Sequence, residues 1–213
     1  MDQYINNKAL RYILYSLAFL PIFILRDFTP DNELRYLSTN HGIIYADKPP
    51  LYLWIVMLGK LLFGYHNMAF LSFFSFIPAL ITIFVMDKWV SRELNENERL
   101  IGQLMLLTAG FFIGTALVLR MDMLMCMFIV LALYTFFRIY SGEGRPRDSI
   151  LFPVYVFMAI FTKGPIGIIV PLLSIAVFLL LKKEIRTMCR YWGWKALSIL
   201  LLLCGTWFAG VYA

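Results

Sequence analysis

The chain has 213 residues, of which 61% are apolar and 15% are charged, and its formal net charge is +6. A soluble globular chain has about 45–50% apolar and about 25% charged residues, so this composition excludes a cytosolic enzyme, a disordered chain and a disulfide-knotted secreted domain. It indicates a polytopic membrane protein, in which an excess of Lys and Arg first points to cytoplasmic loops rather than to nucleic acid.

Apolar runs of about 17–25 residues are long enough to cross a bilayer as helices. Taken in chain order, the apolar runs predict about seven transmembrane helices, over residues 10–25, 65–86, 100–119, 121–139, 150–162, 166–181 and 196–213, of which 150–162 and 166–181 are short. The first run lacks a small-residue cleavage site, so we interpret it as a membrane helix rather than a signal peptide. The fold class predicted is an all-α polytopic membrane protein, with residues 1–213 forming a single domain.

Three loops carry most of the basic residues and lie on the same side under an alternating path. They cover residues 88–99, 138–147 and 182–195. Cytoplasmic loops are enriched in Lys and Arg, so we predict that these three are cytoplasmic. Arg120 and Lys163 then fall on the opposite, outer face.

The apolar segment 49–64 decides the side of the polar stretch before it. If the segment lies flat in the membrane interface, that stretch faces outward; if it spans, the stretch faces the cytoplasm, and counting charges does not separate the two. Its short length, the interfacial residue types Tyr52 and Trp54, and the poor fit of Lys60 to a membrane centre favour the flat placement. We therefore predict an outer loop with interfacial helices over residues 26–64.

The flat placement gathers charges of both signs on the outer face. The basic members are Arg26, Arg35, Lys48, Lys60, Arg120 and Lys163, and the acidic members are Asp27, Asp31, Glu33, Asp47 and Asp122. Charge held at the mouths of membrane helices indicates a binding site. His41 and His66 are too isolated to indicate a metal site and are interpreted as structural.

Each outer motif also has a structural interpretation. Around Asp31, Glu33 and Arg35 the sequence is typical of a helix start, yet a carboxylate here is also placed to take a proton from an acceptor hydroxyl, and Arg35 to hold an anion. Lys48 precedes Pro49-Pro50, a pattern that favours a helix start, and its ammonium group also suits a lipid phosphate.

Arg120-Met121-Asp122 fits a tight turn with paired charges, but these are the only charges between Arg99 and Arg138. Lys163 fits either a lysine at a hairpin tip or a second phosphate contact.

Four stretches carry a resemblance when they are taken together: PDNELRY, YADKPPLY, LRMD and FTKGP. In this order they resemble the C-type superfamily of glycosyltransferases, in its aminoarabinose (lipid A) transferase and protein O-mannosyltransferase branch, over most of residues 10–213. The resemblance implies many membrane helices and inverting transfer of a sugar from a polyprenyl-phosphate donor. The acceptor would be lipid A, another glycolipid or a protein, in the bacterial inner membrane with the active site on the periplasmic face. Membrane lipids are further expected partners; nucleic acid is not.

The resemblance also implies roles for individual residues. Asp31, Glu33 and Asp122 match catalytic acids, and the one-residue excess in PDNELRY leaves either Asp31 or Glu33 as the base. The residues that match donor phosphate-binding positions are Arg35, Asp47, Lys48, Arg120 and Lys163. The cofactor is unknown, with a divalent metal as one option. We expect the chain to be the N-terminal part of a longer enzyme.

The main rival to an interfacial enzyme is a transporter or lipid flippase. Transporters place ionisable residues near the midplane of the membrane on broken helices. Pro78 and Pro171 interrupt predicted spans here, but no acid lies in the middle of one and the charges collect at one rim. This distribution favours the enzyme. A noncatalytic scaffold is the third interpretation.

Overall fold

A computed structural model describes residues 7–24, 49–64 and 67–212, and every regular element in these ranges is helical. The helices are α1 (Lys8–Phe19), α2 (Leu51–Phe63), α3 (Met68–Val90), α4 (Glu96–Thr108), α5 (Gly110–Leu117), α6 (Asp122–Tyr140), α7 (Asp148–Lys163), α8 (Ile166–Leu181), α9 (Met188–Tyr191) and α10 (Trp194–Tyr212). Short 3-10 helices at Leu20–Phe23 and Ile185–Thr187 follow α1 and precede α9. The all-α fold class is confirmed.

Two described helices, α3 and α6, are long and apolar enough to cross a membrane. The number rises to four if α4 with α5, and the segment Ile185–Tyr191 with Trp194–Gly210, are each one bent span. The predicted span over 100–119 is broken at Ala109, where the backbone is extended and the axes of α4 and α5 differ by 63°. The figure of seven spans stays a prediction.

The chain forms two compact units, Met1–Met127 and Phe128–Ala213. In the first unit, α1, α3 and α5 share an apolar core that contains Phe19, Ile83 and Ala116, each with no exposed surface. In the second unit, α7 packs against both α8 and α10. Its core includes Val156 and Leu179, which are also fully buried.

A buried polar cluster joins three helices of the first unit. At the end of α3, Asp87 accepts hydrogen bonds from Nε and Nη2 of Arg99 in α4, at 2.9 and 2.5 Å. Gln103, one turn further along α4, donates to the same carboxylate at 2.5 Å and accepts from the hydroxyl of Tyr15 in α1, also at 2.5 Å. All four side chains are less than 10% exposed. The α3–α4 loop is therefore closed by a bidentate ion pair.

A second buried ion pair closes the loop between α6 and α7 in the same way. Asp148, which is 1% exposed, lies 3.2 Å from Nη2 of Arg138. Its carboxylate also accepts the backbone N–H of Arg145 at 2.8 Å. Arg99 and Arg138 fall within predicted loops in the sequence, but the structure pairs both with acids across those loops.

Replacing Arg99 with Met should lower the free energy of unfolding by about 3–5 kcal/mol, because it leaves the buried Asp87 carboxylate without its counter-charge. The measurement is thermal unfolding of the detergent-solubilised protein. Lys88→Gln, an exposed neighbour that also loses one positive charge, should change stability by less than about 0.5 kcal/mol. Equal effects of the two substitutions would contradict a structural role for the pair.

Candidate functional site

The turn between α5 and α6 is fixed by a serine of α3. After α5 ends, Val118 is extended and the chain turns into α6 at Asp122. The hydroxyl oxygen of Ser75, which is fully buried, lies 3.1 Å from the carbonyl oxygen of Val118 and 3.3 Å from that of Arg120. A buried hydroxyl that reaches these carbonyls ties the backbone of Arg120 to α3.

Arg120 and Asp122 form an ion pair at the start of α6. Nε of Arg120 lies 2.7 Å from Oδ2 of Asp122; the arginine side chain is 39% exposed and the aspartate side chain 9%. The carboxylate stands in the first turn of α6, where the helix dipole favours negative charge. The predicted pairing of these charges is confirmed. In this pair, the buried carboxylate of Asp122 fixes the orientation of the partly exposed guanidinium group of Arg120.

The two polar attachments of α3 lie at different levels along the helix. Ser75 holds the turn that carries Arg120, whereas Asp87 holds Arg99. They are separated by about 12 residues, or roughly 18 Å along a helix that rises 1.5 Å per residue. Within the first unit, the turn that carries Arg120 is thus tied to α3 well away from the α3–α4 loop.

Lys163 is placed by a glycine turn in the second unit. It is the last residue of α7 and is partly buried. The next residue, Gly164, has φ 89° and ψ −150°, a combination that is essentially open to glycine only, and its N–H donates to the carbonyl oxygen of Ile160 at 2.6 Å. A Cβ on Gly167 would overlap the backbone of Ala159, so α7 and α8 pack closely behind this turn.

Five of the predicted site residues lie outside the described residues: Asp31, Glu33, Arg35, Asp47 and Lys48. The end of the same motif is described. Pro50 is the N-cap of α2, which begins at Leu51, so the predicted helix start at the proline pair is confirmed.

Sequence reasoning missed Ser75, the residue that anchors the Arg120 turn. Ser72, one turn earlier in α3, is equally buried; its hydroxyl donates to the carbonyl oxygen of Met68 in its own helix at 2.9 Å and lies 3.4 Å from that of Ile22. Nothing in the local pattern separates the two serines, because the partner of Ser75 comes from a segment about 45 residues away.

The described residues offer no ready metal site. In the ranges 7–24, 49–64 and 67–212, no three His, Cys, Asp or Glu side chains lie together in a way that could hold a metal ion.

Membrane-length helices, with charged side chains held at helix ends and across tight loops, define this chain as a polytopic α-helical membrane protein. The family described as dolichyl-phosphate-mannose-protein mannosyltransferase matches residues 47–209. The chain belongs to this family, and the predicted resemblance is confirmed.

Individual relatives extend this result. The chain is 29% identical to an uncharacterized protein of Aquifex aeolicus (strain VF5), over 81% of this chain and 34% of the relative. It is 22% identical to an undecaprenyl phosphate-alpha-4-amino-4-deoxy-L-arabinose arabinosyl transferase of Shewanella sediminis (strain HAW-EB3), over 98% of this chain and 41% of the relative. The chain therefore spans less than half the length of these relatives.

The fold is also similar to that of ArnT from Cupriavidus metallidurans, solved by crystallography bound to undecaprenyl phosphate. The TM-score is 0.73 at 20% sequence identity, and the match covers 93% of this chain and 41% of that one. At this identity the likeness establishes the membrane fold.

Replacing Gly164 with Ala should destabilise the protein by about 1–3 kcal/mol, because a Cβ is strained at this backbone conformation. Gly102→Ala is a matched control: it lies within α4, and an added Cβ there meets no atom within 4 Å. The control should be neutral or slightly stabilising in a helix. Thermal unfolding of both variants measures the difference, and similar melting temperatures would contradict the strain argument.

Proposed function

We propose that the full protein carrying this chain is a membrane glycosyltransferase. It moves a sugar, with inversion, from a polyprenyl-phosphate donor to a hydroxyl or phosphate group of lipid A, another glycolipid or a protein. Membership of the family over residues 47–209 is the observation that carries this proposal. The Shewanella sediminis relative, an undecaprenyl phosphate-alpha-4-amino-4-deoxy-L-arabinose arabinosyl transferase, supports the class of donor.

The reaction is proposed to occur at the outer, periplasmic face of the bacterial inner membrane. In the first unit Arg120 is remote from the basic α3–α4 loop along α3, and in the second unit Lys163 and Asp148 stand at opposite ends of α7. Lys and Arg collect in cytoplasmic loops, so both arrangements support an outer position for Arg120 and Lys163.

The same placement supports a proposed topology of seven spans in one domain, with α2 lying flat in the interface as part of the 26–64 outer loop. α2 has 13 residues, or roughly 20 Å of helix, against a hydrocarbon core of about 30 Å. Trp54 on this helix is 47% exposed and Lys60 is also exposed, as suits a helix beside lipid headgroups.

Arg120 is proposed to bind the donor phosphate, with Arg35, Lys48 and Lys163 as further cations and Asp47 beside Lys48. An arginine held by a carboxylate is already oriented before it meets a phosphate, so less side-chain entropy is lost on binding. Charge-assisted hydrogen bonds from such groups stabilise the negative charge that grows on the phosphate as it leaves.

The chemical step we propose is a single displacement. The acceptor oxygen attacks the anomeric carbon of the sugar from the face opposite the phosphate, and a new carbon–oxygen bond forms as the old one breaks. The acceptor proton passes to Asp31 or Glu33, and the bonding electrons leave with polyprenyl phosphate. No step in this scheme requires a metal ion, although a divalent metal remains one option for the whole enzyme.

Removing the base should abolish transfer without unfolding the protein. In the full-length protein, Asp31→Asn or Glu33→Gln should lower the transfer rate about 10²–10⁴-fold, the range expected for loss of a general base. Product is measured by mass spectrometry with undecaprenyl-phosphate sugars as donors. Asp27→Asn is the matched control, since it removes a carboxylate from the same stretch of chain.

Full activity in both the Asp31 and the Glu33 variant would overturn the base assignment. Uptake of donor lipid across vesicles by the wild-type protein, with no covalent product from any donor, would instead favour the transporter or flippase.

Substituting Asp122 tests whether its carboxylate positions Arg120 or takes part in the chemical step. Because Asp122 is buried and paired with Arg120, we expect Asp122→Asn to raise KM for the donor by about tenfold with a smaller change in kcat, as loss of donor binding predicts. Arg120→Gln should raise KM in the same direction. A fall in kcat at unchanged KM in Asp122→Asn would show that this carboxylate takes part in the chemical step.

A further inference from the structure

A basic pocket lies in the second unit, where α6 ends and α7 and α10 begin. It has a volume of about 80 Å³, which exceeds the space of one water molecule several-fold. The residues of its wall that matter here are Phe136, Ser149, Phe152, Arg190, Tyr191 and Lys195. Cationic and aromatic side chains therefore meet around one small cavity.

The two cations of this pocket are not neutralised by acids. The ammonium group of Lys195 donates to the hydroxyl of Ser149 at 2.6 Å, and both Lys195 and Arg190 are exposed. In the described ranges, neither has a carboxylate partner within ion-pair distance. Arg138 differs, because Asp148 compensates its charge. The pocket thus offers two positive charges and a hydroxyl to an anion.

The surroundings of the pocket suit a lipid rather than a free ion. Tyr191 packs edge-on against Phe136 with ring centroids 4.9 Å apart, which gives the pocket an apolar side. Trp194, next to Lys195, is 85% exposed, and Trp is enriched at the level of lipid headgroups.

This pocket is separate from the proposed donor site. Ser149 lies in the first turn of α7 and Lys163 is its last residue. A helix of 16 residues is about 24 Å long, so the pocket and Lys163 are separated by roughly the length of α7.

We propose that this pocket binds the phosphate group of an anionic phospholipid from the leaflet that faces the basic loops. Basic pockets between membrane helices are suited to acidic headgroups, and each Lys or Arg near such a surface adds about tenfold or less to the affinity. Lys195 and Arg190 hold the phosphate oxygens, the Ser149 hydroxyl adds a hydrogen bond, and the aromatic side contacts the lipid near its glycerol. The proposal does not depend on glycosyl transfer.

Native mass spectrometry of the full-length protein tests this directly. The protein is equilibrated in mixed micelles with equal amounts of phosphatidylglycerol and phosphatidylcholine, and retained lipids are counted. Wild type should retain phosphatidylglycerol preferentially, and Arg190→Gln with Lys195→Gln should reduce that preference about tenfold. Lys182→Gln with Lys183→Gln removes the same charge from exposed positions outside the pocket and should leave most of the preference in place.

Three results would overturn the proposal. They are no preference for phosphatidylglycerol in wild type, an equal loss in the two double variants, and displacement of the lipid by millimolar inorganic phosphate, which would mark a site for a free anion. If the pocket variant fails to fold, wild type is photo-crosslinked to phosphatidylglycerol with a diazirine in its headgroup. Crosslinks to the pocket wall, within residues 136–152 or 188–196, support the site, and crosslinks found only elsewhere contradict it.

Discussion

A buried charge needs an opposite charge, and two Asp–Arg pairs that meet this requirement also close loops between helices. Asp87 with Arg99 closes the loop between α3 and α4, and Arg138 with Asp148 closes the loop between α6 and α7. Removing one partner would strand a buried charge, which is far more costly than losing a surface ion pair. Each pair therefore fixes the two helix ends that its loop connects. Because helices are stiff, it also helps to position side chains further along the same helices.

The residues that we propose to bind the donor phosphate lie away from these two loops. Arg120 is tied to α3 well away from Asp87, and its guanidinium is oriented by a buried carboxylate and by a backbone tied to Ser75. Lys163 ends α7, and the turn after it depends on Gly164, whose backbone conformation is essentially open to glycine only. In each unit the charges closing a loop are compensated and buried, whereas Arg120 keeps part of its surface open to a ligand.

Much of the architecture could be predicted because hydropathy and helix signals are local. The apolar runs located most of the helices, the proline pair located the start of α2, and the close spacing of Arg120 and Asp122 indicated their pairing. The break at Ala109 was not predicted, since the apolar run continues through it without a proline. Arg99 and Arg138 could not be separated from ordinary loop cations, because their acids are about 10–12 residues away across a loop, a relation that helical periodicity does not encode.

By itself, the sequence determined that the protein is an α-helical membrane protein. It also determined which residues are charged and the family to which the chain belongs. These properties follow from composition and from motifs of a few residues. Only the tertiary structure decided which charges are compensated, that Ser75 rather than Ser72 holds the Arg120 turn, and that Arg190, Lys195 and Ser149 meet around one pocket. Such relations depend on contacts between distant segments, and packing rather than local preference selects them.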